Sequence, residues 1–409
     1  MNINAKKINL TLFLFALTFF FAACREEKTV LTMDDYETIK INYGNFEDEL
    51  NFFDMADIGE FNCGTCMRDG FFYIANAESK KIMGFNSYAD LLTLYFNDQT
   101  NPRPSFYDED FASVSTRKAV AYPFNKISEI AVDSRKYMYV ADVISVDRQE
   151  VSEEDGTIYN QMILRFDSSG RYTGYLGQQG FGGTPFPYIK KLYATTNNEF
   201  VVLCETASGL QIYWFTEDGS LVKKLNLEEC FNYELYQPRT SVNELWQLIK
   251  NAVPDPDERK IYMQVDVVSS SSGQGSEGKS QINFLESYLY TIDLESGLTE
   301  KGLQLPSYQD QATNVDGQNY TIPYELLGIT DFGWLFFMVS TDKGFALAMM
   351  QADGQRILKR TINVDRRDSL YYSFCLGNTG ILSMLNAKED YAELCWWRTD
   401  SIIQSVLQN

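Results

Sequence analysis

The sequence predicts an all-β protein, a six-bladed β-propeller whose last blade is completed by an N-terminal strand and which carries one inserted helix. Aromatic residues make up 14% of the chain, and aromatic side chains are enriched in strands. Short apolar strands separated by turns recur in six clusters along the sequence, and a small repeating sheet is the unit of a propeller. The last cluster is one strand short, and a matching strand pattern lies upstream of the first.

The clearest unit spans residues 127–177. Residues 127–133 alternate between apolar and polar side chains, which is typical of a half-buried strand. Ser168-Ser169-Gly170 then supplies the turn residues and the positive φ that a tight hairpin requires. The four strands predicted for this unit are 127–133, 137–142, 161–167 and 172–177.

Five further units show the same pattern, at 71–96, 189–225, 260–305, 326–362 and 370–398. The last of them offers three strands, and propellers commonly close by borrowing a strand from the other end of the chain. Residues 37–43 alternate in the correct sense, and we expect them to complete this blade, because an unpaired edge is an aggregation hazard.

Three segments interrupt the repeat. Residues 145–159 form an acidic insertion, and residues 269–280 are rich in Ser and Gly and predict a loop. Residues 240–253 predict the inserted helix, because Ser241 and Glu244 have capping-box spacing and the apolar residues that follow share one helical face. We expect this helix to pack on the rim of the propeller, where it could bind a partner.

The N-terminal segment predicts export. Lys6 and Lys7 precede an apolar run over residues 10–23, which is shorter than the roughly 20 residues that span a bilayer. A positive region, a short apolar run and small residues before a cysteine are typical of a lipoprotein signal peptide. We therefore expect residues 1–23 to be a signal peptide, Cys24 to be lipidated, residues 24–35 to be the tether and 36–409 the propeller. Ordinary cleavage beside an incidental cysteine is the alternative.

Composition excludes several kinds of chemistry. The chain contains no histidine, which excludes Ser-His-Asp and Cys-His nucleophiles and His-ligated metal sites. The formal net charge is −21, and such a surface repels nucleic acid. We therefore expect no nucleic-acid partner and a membrane contact made through the lipid on Cys24.

One stretch resembles a known repeat. The segment from Arg165 through Gly177, with the Gly-rich continuation to Ile189, resembles an NHL repeat and is similar to the blade junction of NHL-type lipoproteins from treponemes and other spirochaetes. The resemblance is specific over residues 127–205 and weak in the fourth and last units. It implies a six-bladed NHL-like propeller with a lipid anchor, and it implies no single activity, because this fold hosts binders and enzymes alike.

The remaining cysteines and acidic clusters suggest no catalytic or metal site. Cys63 and Cys66 could form a disulfide or remain a free pair in a turn, and a redox role is disfavoured because a strand pattern follows Cys66 rather than a helix start. The acidic clusters at 153–155 and 255–258 lack the calcium-loop spacing and are interpreted as solvated loops. We expect no cofactor.

These observations lead to two functional hypotheses. The first is a lipid-anchored envelope scaffold that binds another protein or ligand without catalysis, supported by the missing histidine and the missing nucleophile motif. The alternative is a carboxylate- or calcium-dependent propeller enzyme, a lactonase- or glycoside-type hydrolase or a lyase, because carboxylates from several blades could converge on the channel without any linear motif.

Overall fold

The structure, a computed structural model, describes residues 30–34, 36–52, 63–108, 116–236, 245–272, 280–313 and 319–407. The predicted signal peptide and Cys24 lie outside the described residues. The described chain is nearly all β and forms the predicted six-bladed propeller. The six sheets surround a central channel, and the first strand of each sheet lies innermost.

The first three blades are close to the predicted ones, and blade 1 gains Cys63–Arg68 as its innermost strand. Blade 1 consists of Cys63–Arg68, Phe71–Asn76, Lys81–Phe85 and Leu91–Phe96, with Lys118–Ala121 added in parallel at its outer edge. Blade 2 consists of Ile127–Val132, Met138–Val143, Gln161–Phe166 and Tyr172–Gly177, with the short strand Gly180–Phe181 outside. Blade 3 consists of Tyr188–Ala194, Phe200–Thr206, Gly209–Phe215 and Leu221–Asn226.

The last three blades follow the same plan. Blade 4 consists of Leu245–Pro254, Lys260–Ser272, Ser280–Asp293 and Leu303–Gln304. Blade 5 consists of Glu325–Ile329, Trp334–Thr341, Gly344–Gln351 and Ile357–Asn363, with Leu31–Thr32 added in parallel. Blade 6 consists of Tyr371–Leu376, Leu382–Ala387, Tyr391–Trp397 and Glu37–Asn42.

The closure of the ring confirms the predicted N-terminal strand. Glu37–Asn42 pairs antiparallel with Tyr391–Trp397 over its whole length. Ile39 and Ile41 are 5% and 2% exposed and pack in the cluster that joins blades 6 and 1. The first and last thirds of the chain are therefore held together by one sheet.

The prediction of an inserted helix at residues 240–253 is wrong. Residues Leu245–Pro254 form a strand, the innermost of blade 4, and pair with Lys260–Ser272. Along this strand the exposed Trp246 and Leu248 alternate with half-buried neighbours, a period of two that the apolar spacing had concealed. Cross-strand pairing within the blade overrides local helix propensity here. Ser241 and Glu244, the residues of the predicted capping box, lie outside the described residues.

Two short hairpins and few helices complete the described chain. The acidic insertion forms the hairpin Glu150–Val151 and Ile158–Tyr159, and a second hairpin joins Ser307–Thr313 and Asn319–Pro323. Of the described helices none has the length and apolar character needed to cross a membrane. The α-helices are Leu227–Cys230 and Thr399–Leu407, and the 3-10 helices are Val146–Arg148, Tyr233–Leu235 and Arg366–Asp368.

The core lies between facing blades, and buried glutamine amides link blade 2 to blade 3 and blade 4 to blade 5. Gln161 of blade 2 accepts a hydrogen bond from the backbone N–H of Ile189 in blade 3, at 2.5 Å. Gln264 of blade 4 accepts one from Leu326 in blade 5, at 2.7 Å. At the channel, a Cβ on Gly64 would lie 2.0 Å from the carbonyl oxygen of Ser128, so the innermost strands of blades 1 and 2 approach each other only because residue 64 is glycine.

Candidate functional site

The central channel contains a concave site that all six blades line. Its cavity of about 650 Å³ is lined by the innermost strands of all six blades. A volume of this size is typical of a small-molecule site, as is a mostly apolar wall with a few polar groups. Because the six innermost strands run in the same direction, the residues that follow them gather at one mouth of the channel.

An ion pair joins two innermost strands at this cavity, which Lys191 lines. Glu129 is in the middle of the innermost strand of blade 2, and Lys191 is in the middle of the innermost strand of blade 3. Lys191 Nζ lies 2.9 Å from Glu129 Oε2. Burial lowers the pKa of Lys191, but the negative charge of Glu129 and the neighbouring Cys375 more than offset that effect, so the pKa lies above its ordinary value. The ammonium therefore keeps its proton throughout the neutral range.

Two thiols line the same cavity. Cys66 in blade 1 and Cys375 in blade 6 are both free. Burial raises the pKa of Cys66 to about 12, and Cys375 adds to that shift, whereas the cations Lys191 and Arg68 oppose it. Burial also raises the pKa of Cys375. Because the thiolate is the reactive form, neither cysteine is poised as a nucleophile.

The structure does not contain the disulfide considered for Cys63 and Cys66. Both thiols are free and both residues belong to the strand Cys63–Arg68. In a strand, residues three apart are separated by about 10 Å and point to opposite faces, whereas a disulfide needs Cα atoms roughly 4.4–6.8 Å apart. Cys63 points into the core, where Asn76 Nδ2 donates to its sulfur at 3.8 Å.

Two polar side chains lie at this mouth of the channel. Asp331 follows the innermost strand of blade 5, and Asn378 follows the innermost strand of blade 6. Asn378 Nδ2 donates a hydrogen bond to Asp331 Oδ2 at 2.7 Å. Burial raises the pKa of Asp331, although the amide of Asn378 and the guanidinium of Arg68 act in the opposite sense. Both residues line the cavity, as do Arg68 and Asp255, so the mouth carries acids of more than one blade and one cation.

The acidic cluster at 255–258 is partly a structural turn. Asp255 Oδ1 accepts hydrogen bonds from the backbone N–H groups of Asp257 and Glu258, at 2.9 and 2.8 Å, and Tyr262 donates to Oδ2 at 2.9 Å. Across the described ranges, no three Cys, Asp or Glu side chains are grouped as metal ligands. The calcium ion of the alternative hypothesis does not fit these residues, since Glu129 is paired with a lysine and Asp331 with an amide.

The sequence did not single out Glu129, Lys191 or Arg68. Each is a charged residue in an innermost strand whose neighbours are mostly apolar or small, and that is the available signal. Their partners lie on other blades, so no spacing along the chain could reveal the contacts. Cys24, the one site predicted at the N-terminus, lies outside the described residues.

Comparisons with known proteins show no family for this chain. No family model matches the chain, and no curated protein matches it, so the NHL resemblance depends on residues 127–205 alone. Among solved structures, a gluconolactonase from Xanthomonas campestris is 11% identical, with 91% of this chain and 98% of that chain covered and a TM-score of 0.37.

Two further structures have the same degree of likeness. An ulvan lyase is 10% identical over 88% of this chain and 83% of its own, with a TM-score of 0.41. A luciferin-regenerating enzyme is 11% identical over 88% of this chain and 95% of its own, with a TM-score of 0.40. At these values no substrate and no residue role passes from these proteins to this chain.

The expectation that the protein is a scaffold rather than an enzyme is corrected by this comparison. The solved structures with a similar arrangement are mostly enzymes by name, whereas the expectation rested on absent motifs alone. A propeller assembles charged groups from different blades, so a missing linear motif was weak evidence against catalysis.

Proposed function

We propose that the protein is an enzyme that hydrolyses a lactone or a similar ester inside its central channel. The observation that carries this proposal is the ion pair between Glu129 and Lys191, 2.9 Å apart, beside a cavity of about 650 Å³. A carboxylate next to a permanently protonated ammonium supplies a base and an electrostatic stabiliser in one place.

The reaction follows from the charges of the pair. Glu129 accepts a proton from a water molecule as the water oxygen bonds to the acyl carbon, and Lys191 stabilises the negative charge that develops on the carbonyl oxygen. The bond from the acyl carbon to the ring oxygen then breaks. The leaving oxygen takes the proton held by Glu129, which returns the carboxylate to its starting state and leaves a hydroxy acid.

Other reaction types fit the site less well. Glycoside hydrolysis uses two carboxyl groups that flank the scissile bond. The ion pair supplies one carboxylate, that of Glu129, and the group opposite it is the ammonium of Lys191. A covalent cysteine mechanism needs a thiolate, and burial keeps Cys66 and Cys375 protonated through their raised pKa values. General-base hydrolysis requires neither a second acid nor a nucleophilic side chain.

The experiment is a hydrolysis assay of the fragment 25–409 on a panel of aldono- and alkyl lactones, followed by pH-stat titration of the acid formed. We expect turnover by the wild type and a loss of about 10²–10⁴-fold in kcat for Glu129→Gln, the usual contribution of a general base. The matched control is Glu205→Gln. Glu205 pairs with Lys190, the residue next to Lys191 in the same strand, and its Oε2 lies 3.9 Å from Lys190 Nζ. Full activity of Glu129→Gln, or equal loss in both variants, would refute the proposal.

We also propose that the enzyme acts while tethered to the cell envelope by the lipid on Cys24. The support is the apolar run over residues 10–23 and Ala22-Ala23 before the cysteine. The expected result is that Cys24→Ala leaves the membrane fraction or accumulates unprocessed. A matured Cys24→Ala protein that stays with the membrane argues against lipid anchoring.

A further inference from the structure

Arg68 is a buried cation without hydrogen bonds. Its side chain is 8% exposed, and within the described ranges its guanidinium forms no hydrogen bond, with Nε buried and unpartnered. The nearest carboxylate oxygen, Asp69 Oδ1, lies 3.9 Å from Nε. Burying a charged group that lacks partners is costly, and such groups are almost always paired in folded proteins.

The acids near Arg68 are engaged elsewhere. The carboxylate of Asp69 is bound by Lys136. Asp331 accepts a hydrogen bond from Asn378 at 2.7 Å, and burial raises its pKa in spite of Arg68. The guanidinium therefore has two carboxyl groups in its neighbourhood and hydrogen bonds to neither of them.

Arg68 shares the cavity with the proposed reaction centre. Arg68 and Lys191 both line it, and both cations act on the thiol of Cys66, which lies close to each of them. Blade 1 therefore presents to the cavity that Lys191 lines a guanidinium that has no hydrogen-bond partner among the described residues.

We propose that Arg68 binds a carboxylate carried by the substrate, so that the enzyme acts on anionic molecules rather than neutral ones. This inference rests on the proposed function for the reaction that follows binding. A guanidinium offers two parallel N–H donors that match the two oxygens of a carboxylate. A neutral analogue leaves the buried cation unpaired and is rejected for that reason.

The negative surface charge means that a preference for anionic ligands must come from short-range contacts. A net charge of −21 repels anions at a distance, so preference for a carboxylate has to come from the desolvated guanidinium inside the channel. Binding should therefore depend on the two-pronged geometry of the side chain as well as on its positive charge.

The test compares D-glucuronate with D-glucose by isothermal titration calorimetry, because the two sugars share a ring and differ by one carboxylate. We expect wild-type protein to bind glucuronate at least tenfold more tightly than glucose. Arg68→Gln should abolish the preference and Arg68→Lys should keep only part of it. Arg117→Gln, which removes a surface cation paired with Glu47, is the matched control and should leave the preference unchanged.

Binding and turnover separate the two proposals. Glu129→Gln should still prefer glucuronate to glucose although its kcat is reduced about 10²–10⁴-fold, and the binding preference is measurable whether or not a lactone substrate is found. Thermal unfolding of each variant shows that it is folded, and Arg68→Lys provides the comparison if Arg68→Gln is unstable. Equal binding of the two sugars, no binding of glucuronate, or an undiminished preference in both Arg68 variants would overturn the inference.

Discussion

Two adjacent lysines show how position on a strand determines the chemistry of a side chain. Lys190 and Lys191 both belong to the innermost strand of blade 3. Lys190 lies 3.9 Å from Glu205 in a pair that is largely exposed, whereas Lys191 lies 2.9 Å from Glu129 beside the channel cavity. Exposed pairs contribute little to stability or electrostatics. At the shorter distance Glu129 raises the pKa of Lys191 above its ordinary value.

The first prediction concerns the cation of this pair. Lys191→Met removes the ammonium that stabilises the negative charge developing on the carbonyl oxygen. We expect kcat to fall about 100-fold, the usual effect of removing one such electrostatic stabiliser. The measurement is kcat and KM on the lactone panel at neutral pH.

Lys190→Met is the control for this experiment, since it removes an equivalent charge outside the channel. Its kcat should equal that of the wild type. A Lys191→Met variant that keeps the wild-type kcat would show that the ammonium does not stabilise the transition state.

The sequence indicated little of this site. Glu129 was visible as a charged residue within an apolar strand pattern, but its partner lies on another blade, and the two meet only when the ring closes. Arg68 was visible only as a basic residue shortly after Cys66. Whether a charged residue of an innermost strand faces the channel or the solvent depends on the side to which the strand is turned, and the bulge between Ile189 and Lys191 changes that side within one strand.

At the scale of elements, turn chemistry predicted blades 2 and 3 well. Their hairpins contain Ser-Ser-Gly and Glu-Asp-Gly turns, and Gly170 and Gly219 have the positive φ values of 89° and 86° that the turns require. Blade 4 was predicted poorly because its innermost strand, Leu245–Pro254, contains leucine, tryptophan and isoleucine at a spacing that also fits one helical face. The repeat itself was the better guide, since a blade without an innermost strand leaves a gap in the channel wall.

The second prediction concerns a buried acid that joins two such elements. Asp142, in the second strand of blade 2, accepts hydrogen bonds from the backbone N–H groups of Asn125 and Lys126, the latter at 2.7 Å. Burial raises its pKa to about 6 in spite of these donors, above an unfolded value of about 3.9. Folding therefore takes up a proton between roughly pH 4 and 6, and the free energy of unfolding should fall as the pH rises through that window.

Asp142→Asn keeps an acceptor for both N–H groups and removes the charge. We expect this variant to lack the fall in the free energy of unfolding that Asp142 causes between roughly pH 4 and 6. At pH 7 its free energy of unfolding should be about 1–2 kcal/mol higher than that of the wild type. Asp142→Ala leaves the two donors unpaired and should lose about 1–3 kcal/mol. Urea unfolding at pH 4, 5, 6 and 7 gives the free energy of unfolding of all three proteins. If the stability of the wild type rose with pH and that of Asp142→Asn rose in parallel, the raised pKa of Asp142 would be contradicted.

At the scale of the whole molecule, closure of the ring was predictable from the sequence because it follows from the number of strands in each predicted unit. The sixth unit offered three strands, the N-terminal segment offered one more, and the alternation of Ile39 and Ile41 with polar residues indicated which face is buried. What counting could not supply is the width of the channel, which depends on how closely adjacent blades approach, as at Gly64 and Ser128. The cavity that carries both functional proposals is therefore a property of the closed ring.

The last prediction tests that closure. Ile41 is 2% exposed within the closing strand Glu37–Asn42 and packs in the cluster shared by blades 6 and 1. Ile41→Asp places a charge in this core and removes apolar burial, so we expect a loss of about 3–5 kcal/mol in the free energy of unfolding. The edge of Tyr391–Trp397 then loses its partner strand, and an exposed edge promotes association. Urea unfolding together with size-exclusion chromatography measures both effects.

The neighbouring Asn42→Asp is the matched control, because Asn42 is exposed on the same strand and the change introduces the same charge. It should remain monomeric and within about 0.5 kcal/mol of the wild type, as surface substitutions usually do. If the strand were only a loose appendage of the propeller, Ile41→Asp would be as stable as Asn42→Asp and would elute with it. Because the closing strand fastens blade 6 at the seam beside blade 1, its loss should also weaken the preference for glucuronate that depends on Arg68, whereas the control should retain it.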